Sequence, residues 1–380
     1  MSRLVLSIVI VAIVAIGGVA YWMLSNNPGT SGSQGSQPIR ISGAGSTFVT
    51  YFLQTAAYYY QQKYGVEVDY ASIGSGAGIQ QFLANAVDFG ATDVPLSTQA
   101  WQQAGDALHI PEAIGGVVLT YNIPDLPPNT HLNFTGEVIA DIYLGKITKW
   151  NDPALVKLNP ILANINQPIT TVHRSDGSGT TGVFTDYLSS VSQEWAQTVG
   201  SGLSVNWPGT NSLGGKGSEG VASAVKNTPY SIGYVEFTYA LKNNINYGYV
   251  ENPSTGEFVA PTIESISKTV SYVALSLPRG DQDWSSVSMV RTFIQMSKSN
   301  HTLFGAYPIV TFTYIVIHKE LSKIPNMTKE KAQALVNFLK WLVTDGQQYA
   351  TNLYYVPLPQ SVQNLDLQTL SMVTYNGMNL

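Results

Sequence analysis

The run HRSDGSGTT, residues 173–181, gathers one arginine, one aspartate, two glycines and four hydroxyl side chains into nine positions. Three chemistries use such a mixture: a serine nucleophile, a nucleotide phosphate loop, or a cradle that holds an anion without reacting. A nucleophile elbow reads G-x-S-x-G, and two residues before Ser178 stands Asp176. His173 does not serve as its base, because adjacent residues of a strand point to opposite faces. The nearest approach to G-x-x-x-x-G-K-[ST] is TNSLGGKGS, residues 210–218, which opens on Thr210 and follows Lys216 with Gly217. GAGSTF and GSGAGI both miss the last glycine of the dinucleotide fingerprint. The cradle fits. The first amides of a helix lack intrahelical partners and the macrodipole places about half a positive charge there, so glycines and hydroxyls at such a point make an oxyanion site.

Such a loop has to be positioned by a strand before it and a helix after it, and the plan occurs three times. Residues 39–42 read as a strand, followed by Gly-Ala-Gly and a helix from about 47 to 64. Residues 66–71 read as a second strand, with a Ser/Gly turn and a helix through Phe82 and Leu83. Residues 169–173 read as a third, with a helix after Thr180. A single loop of this kind is also accounted for by ordinary Ser and Thr caps; three in one chain point to a ligand. Later, YPIVTFTYIVIHK, residues 307–319, is nearly continuously apolar, as in a strand covered on both faces. Residues 328–346 carry Leu335, Phe338, Leu339 and Leu342 at helical spacing, with Thr328 as cap and Gly346 as stop. Strands alternating with helices define an α/β protein.

Composition narrows the function. The 380 residues suffice for two cores. A net charge of -5 with 19 Lys and Arg leaves no basic footprint for nucleic acid. The absence of cysteine excludes disulfides, thiolate metal sites, a cysteine nucleophile and a lipid-bearing cysteine; five histidines, none in H-E-x-x-H form, give no metal motif. Arg3 precedes an apolar stretch over residues 4–24, about the length that spans a bilayer, with Tyr21 and Trp22 at its end. Read as an anchor, it puts the rest of the chain outside; read as a signal peptide, it has a passable cleavage site at residues 18–20. Both imply export. The uncharged Gly/Ser/Gln/Pro run over residues 25–38 is a flexible tether, which favours the anchor. Asn133, Asn300 and Asn326 begin N-x-[ST] sequons.

GAGSTF, IGSGAGIQQFLANAVDFGATDVPLS, GGVVLTYNIP, DIYLGKITKWND, HRSDGSGTTGVFTDYL, GGKGSEGVASAVKNTPYSIGYVEFTYA and TFTYIVIHK, running in order from about residue 41 to 359, resemble the phosphate-binding proteins of Pst-type ABC importers. The N-terminal anchor and tether lie outside that resemblance. It implies a two-domain α/β clamp of the type II periplasmic-binding-protein kind that holds phosphate in an interdomain cleft, needs no cofactor, and delivers its ligand as a monomer to permease subunits. The lobes would be 39–118 plus 307–380, and 119–306, with a hinge between them. Carried over, the ligand contacts would be Thr47 and the Phe48 amide; Ser75; Asp93; and Arg174, Ser178, the Gly179 amide and Thr180. Asp176 would orient Arg174. Ser46 adds a hydroxyl that the resemblance leaves without a role.

An acidic residue facing an anion looks wrong until the proton is counted. Ionised Asp93 only accepts hydrogen bonds, hydrogen phosphate has a proton to give, and sulfate has none. Sulfate would leave a desolvated carboxylate unpaired and repelled, a mode of rejection worth roughly 10⁴-fold or more. The plainer reading of Asp93 is a helix cap before VPLS. Two other functions compete: a binder of molybdate, tungstate or sulfate on the same clamp, and a secreted phosphatase. The phosphatase needs a nucleophile with a base, or paired metals, which the residues beside the loops do not supply.

Overall fold

A computed structural model describes residues 38–273 and 276–380. The apolar stretch over residues 4–24, and all of the tether but Pro38, lie outside them. Among the described residues no helix is long and apolar enough to cross a membrane.

The chain opens with β1 (Arg40–Gly45), α1 (Thr50–Tyr64), β2 (Glu67–Ser72), α2 (Ser75–Leu83), β3 (Phe89–Thr92) and the long β4 (Ala107–Asn122). It continues with β5 (Thr170–Arg174), α3 (Gly179–Val191), β6 (Ser212–Gly215), α4 (Gly217–Asn227), β7 (Ser231–Glu236) and the two-residue β8 (Asn246–Tyr247). It returns as β9 (Val310–His318) and α5 (Lys329–Leu342). The principal sheet runs in the order β2-β1-β3-β9-β4-β7-β5-β6, with β8 beside β4. Parallel pairs β1–β2, β1–β3, β5–β6 and β5–β7 flank a centre in which β9 runs antiparallel to β3 and β4, and β4 antiparallel to β7.

β4 joins the two parallel groups. Its first part, through Gly116, pairs with β9, and from Val117 onward it pairs with β7. All nine residues of β9 and all but the last of β4 are buried, which is why β9 reads as a nearly continuous apolar run rather than an alternating one. Glu112, the one acidic residue of β4, stands at the register shift between Thr313 and Tyr314. α5 starts where expected: the Thr328 side chain accepts the Lys331 N–H as N-cap. It ends at Leu342, before the Gly346 stop, because a 3₁₀ turn over Asp345–Tyr349 takes over the chain.

Candidate functional site

The sheet directs one kind of loop to one place, because ligands of α/β sheets meet the carboxyl ends of parallel strands. Ser46 follows β1, Gly74 and Ser75 follow β2, Asp93 follows β3, Ser175 to Gly179 follow β5, and Lys216 to Ser218 follow β6.

The first loop is longer than the pattern suggested, with helix proper beginning at Thr50 instead of about Thr47. Val49 at the N-cap offers no side-chain bond, and three tyrosines do the holding. Tyr70 Oη donates to the Ser46 carbonyl at 2.7 Å, Tyr239 Oη to the Thr47 carbonyl at 2.7 Å and Tyr355 Oη to the Phe48 carbonyl at 2.6 Å. In a trans peptide the N–H lies opposite its C=O, so fixing three successive carbonyls on tyrosines aims the amides of Thr47, Phe48 and Val49 the other way. The Phe48 amide, expected to face a ligand, donates here to Ser46 Oγ at 3.0 Å.

Ser75 is the first residue of α2, is buried, and its hydroxyl has no hydrogen-bond partner among the described residues. An unpaired buried hydroxyl is costly, and at a helix N-terminus it is a donor awaiting an acceptor. The second loop meets the third backbone to backbone: the Gly76 N–H donates to the Gly177 carbonyl at 2.9 Å, and a Cβ on either glycine would press on the other's Cα.

In the third loop the buried Arg174 forks onto Asp176, which also accepts the Gly217 N–H at 2.9 Å. Burial pushes the Asp176 carboxyl up, but the bond and charge of Arg174 prevail and hold it below the usual range. His173 turns to the other face, its ring stacked on Trp207. Ser178 caps α3 by accepting the Thr181 N–H at 3.1 Å, with its hydroxyl proton still to donate. At Gly179 there is no room for a side chain: a Cβ would come 2.6 Å from the Asp93 amide nitrogen, from Asp93 Oδ2 and from Ser75 Oγ.

Asp93 lies between these loops and is 1% exposed. It is not a helix cap, since Ser97 caps the helix over Thr98–Ala104. The Ser46 hydroxyl donates to Asp93 Oδ1, Thr180 Oγ1 donates to Oδ2 at 3.3 Å, and Thr311 Oγ1 holds its carbonyl at 3.0 Å. Burial pushes its carboxyl up to about 6, against the pull of the Ser46 bond, the Arg174 charge and the Thr180 bonds.

The structure therefore gathers Ser75, Asp93, Gly179 and Thr180 around one point, with Arg174 near enough for its charge to act on Asp93 and Thr47 and Phe48 joined to them through Ser46. Sequence reasoning missed Ser218. Its N–H donates to Thr47 Oγ1 at 3.1 Å and its hydroxyl lies 2.8 Å from the same atom, linking the N-terminus of α4 to the first loop. The segment that holds it, GGKGS, fails as a nucleotide loop and otherwise belongs to a stretch that carries the resemblance without a ligand contact assigned to it. Among the described residues no group of three or more His, Asp or Glu side chains is arranged to hold a metal ion.

A mixed α/β sheet whose carboxyl ends gather several helix N-termini around one buried carboxylate defines a periplasmic-binding-protein fold. The chain belongs to the PBP superfamily, whose domain matches residues 32–346. It is 41% identical over 340 residues to the phosphate-binding protein PstS of Xylella fastidiosa, covering 89% of this chain and 86% of that protein. It is 37% identical over 373 residues to that of Methanocaldococcus jannaschii, covering 95% and 93%. The fold is shared with a phosphate-binding protein from Stenotrophomonas maltophilia (TM-score 0.64, 16% identity, 87% of this chain and 93% of that one). It is shared too with a phosphate-bound putative ABC transporter substrate-binding protein from Clostridium perfringens (TM-score 0.58, 20% identity, 84% and 100%).

Proposed function

We propose that this chain binds inorganic phosphate, as hydrogen phosphate, outside the cytoplasm and delivers it to an ABC-type import permease. The observation that carries the reading is Asp93: a buried carboxylate set against the Ser75 hydroxyl, which has no partner among the described residues, and against the Gly179 backbone and Thr180, at the starts of two helices. That set offers donors to an anion on several sides and one acceptor to its proton. Relatives named as phosphate-binding proteins over nearly the whole chain support it.

In this reading the ligand contacts are Thr47, Phe48, Ser75, Asp93, Arg174, Ser178, Gly179 and Thr180, and Asp176 orients Arg174. Phosphate arrival would turn the Phe48 amide and the Thr180 hydroxyl from protein oxygens to phosphate oxygens. Arg174 would spend Nε and one Nη2 hydrogen on Asp176 and keep its other donors for the ligand. With that cation already paired, most of the stabilisation comes from neutral dipoles, which makes binding less salt-sensitive than a lysine cluster would.

The lobes 39–118 plus 307–380 and 119–306 are proposed to hinge along β4, where its pairing passes from β9 to β7, and the Thr47–Ser218 bond is proposed to latch them. Tethering by residues 1–24, action as a monomer and the absence of turnover belong to the same reading. Equilibrium dialysis of residues 39–380 against labelled phosphate, with sulfate, molybdate and tungstate as competitors, tests it. Phosphate retained against excess sulfate is the expected result; preferential retention of another oxyanion would overturn it.

A further inference from the structure

The Ser46 hydroxyl has a fixed polarity. The Phe48 amide can only donate, and it donates to Ser46 Oγ at 3.0 Å. The Ser46 proton must then point elsewhere, and the acceptor within reach is Asp93 Oδ1, which is still the acceptor once phosphate has drawn the Phe48 amide away. Ser46 is 1% exposed, so no solvent competes for that proton. A hydroxyl locked as donor to one oxygen of a carboxylate favours the ionised form and leaves the other oxygen for the ligand's proton.

Resting on the phosphate reading above, we infer that Ser46 is a positioning residue: it holds Asp93 as an acceptor-only carboxylate and so sets how far into acid the site keeps excluding sulfate. A protonated Asp93 would be a donor, and to a donor sulfate is as good an acceptor as phosphate. Exclusion of sulfate therefore lasts only while Asp93 is ionised.

The other groups facing Asp93 leave it in control of that transition. Arg174, at the end of β5, faces it with a guanidinium whose charge lowers the Asp93 carboxyl. Burial, and then the charge of Asp93, holds Glu112 of β4 well above the carboxylate range. Tyr70 of β2, Tyr314 of β9 and Tyr355 are pushed up by burial and stay neutral. Asp176, reached through Arg174, is held below the usual range and stays charged. Thr180 of α3 does not titrate. Across mildly acid pH, Asp93 is the member of this set whose charge changes, and Ser46 gives it the bond that most opposes protonation.

The test is a competition of sulfate against labelled phosphate at stepped pH, on wild-type protein and on Ser46→Ala, each checked for folding by thermal unfolding. In the wild type, sulfate should begin to compete as the pH falls through about 6. In Ser46→Ala the onset should move upward by roughly 1 pH unit, the shift expected from one lost charge-assisted hydrogen bond. Ser46→Cys keeps a side-chain donor but a weaker one; it should move the onset the same way by less, and carries the test should alanine fail to fold. Onset curves that overlay for wild type and variants, with phosphate still preferred at neutral pH, would overturn the role of Ser46 and leave the phosphate reading standing. A wild type that ignores phosphate at neutral pH would overturn both.

Discussion

The guanidinium of Arg174 meets the carboxylate of Asp176 fork to fork, Nε to Oδ1 at 2.8 Å and Nη2 to Oδ2 at 2.5 Å. Arg279 and Asp281 repeat the same two-residue spacing and the same fork, at 3.0 and 2.6 Å. The difference is solvent: the Arg174 side chain is 2% exposed and that of Arg279 66%. Removing one partner of a buried pair strands the other charge and costs about 3–5 kcal/mol, while an exposed pair is worth about 1 kcal/mol or less. Asp176→Ala should therefore lower unfolding stability by about 3 kcal/mol or more and weaken phosphate binding about 10-fold or more, since Arg174 and Gly217 both lose their anchor. Asp281→Ala should leave both nearly unchanged. Denaturant unfolding and calorimetry on the two variants check this, and equal effects would contradict it.

Asp93 makes the ligand-free protein sensitive to pH in an unusual direction. Its folded pKa, about 6, lies above the ordinary 3.8, so the folded state holds the extra proton between these values. Stability contributed by this group is full below about 4 and falls as pH rises toward 6, by on the order of 3 kcal/mol. Asp93→Asn should lack that slope. Unfolding curves of wild type and variant, measured without phosphate, should agree at pH 4, where the wild-type acid is neutral like the amide, and separate at pH 7 with Asp93→Asn the more stable; a parallel pair would count against it.

The tyrosine hydroxyls behind the first loop should matter more for binding than for folding. Tyr239→Phe leaves the ring and removes the donor to the Thr47 carbonyl, so the Phe48 amide of the same peptide group loses its fixed aim. A lost hydrogen bond costs about 1 kcal/mol of stability, and the misdirected amide should add about a 10-fold loss in phosphate affinity. Tyr375→Phe is the control, because its hydroxyl donates to the Met327 carbonyl at 3.0 Å, in a part of the chain the site does not use. It should lower stability similarly and leave affinity alone. Equal affinities in the two variants would show that the tyrosines only support the fold.

Gly179 leaves no alternative residue. Alanine there would put a methyl group against Asp93 and Ser75 at once, so Gly179→Ala should lose about 100-fold or more in phosphate affinity while unfolding about 1–3 kcal/mol more easily. Calorimetry checks the first and thermal unfolding the second; retained affinity would place the ligand elsewhere.

Much of this was written locally. The loops after β1, β2 and β5 announce themselves because glycine and hydroxyl residues sit between a β-branched run and a helical one. Thr328 likewise marks the start of α5 by its own chemistry. The contacts that complete the site are not local. Ser46 and Asp93 are 47 residues apart, and Thr47 and Ser218 171 apart, so no spacing rule joins them. α1 begins at Thr50 instead of about Thr47 because tyrosines from three other segments hold residues 46–48 out of the helix, an outcome that helix propensity does not contain.

Glu112 provides a last test, one that concerns the core behind the site. Both of its carboxyl oxygens are buried without hydrogen-bond partners among the described residues, and it sits at the register shift where β4 meets β9. Burial, with Asp93's charge adding to it, pushes its carboxyl well above the usual range, so it folds as the neutral acid. A neutral acid that makes no well-formed hydrogen bond, though the Thr313 hydroxyl lies beside it, is still costlier there than an apolar side chain of similar length. Glu112→Met should thus stabilise the protein by about 1–3 kcal/mol near pH 5. The gain should widen as pH rises, because a carboxyl with a raised folded pKa contributes full stability below its unfolded value of about 4.5 and loses it above. Denaturant unfolding at pH 5 and pH 8 measures both. A methionine variant less stable than wild type at each pH would mean that Glu112 makes a bond worth keeping.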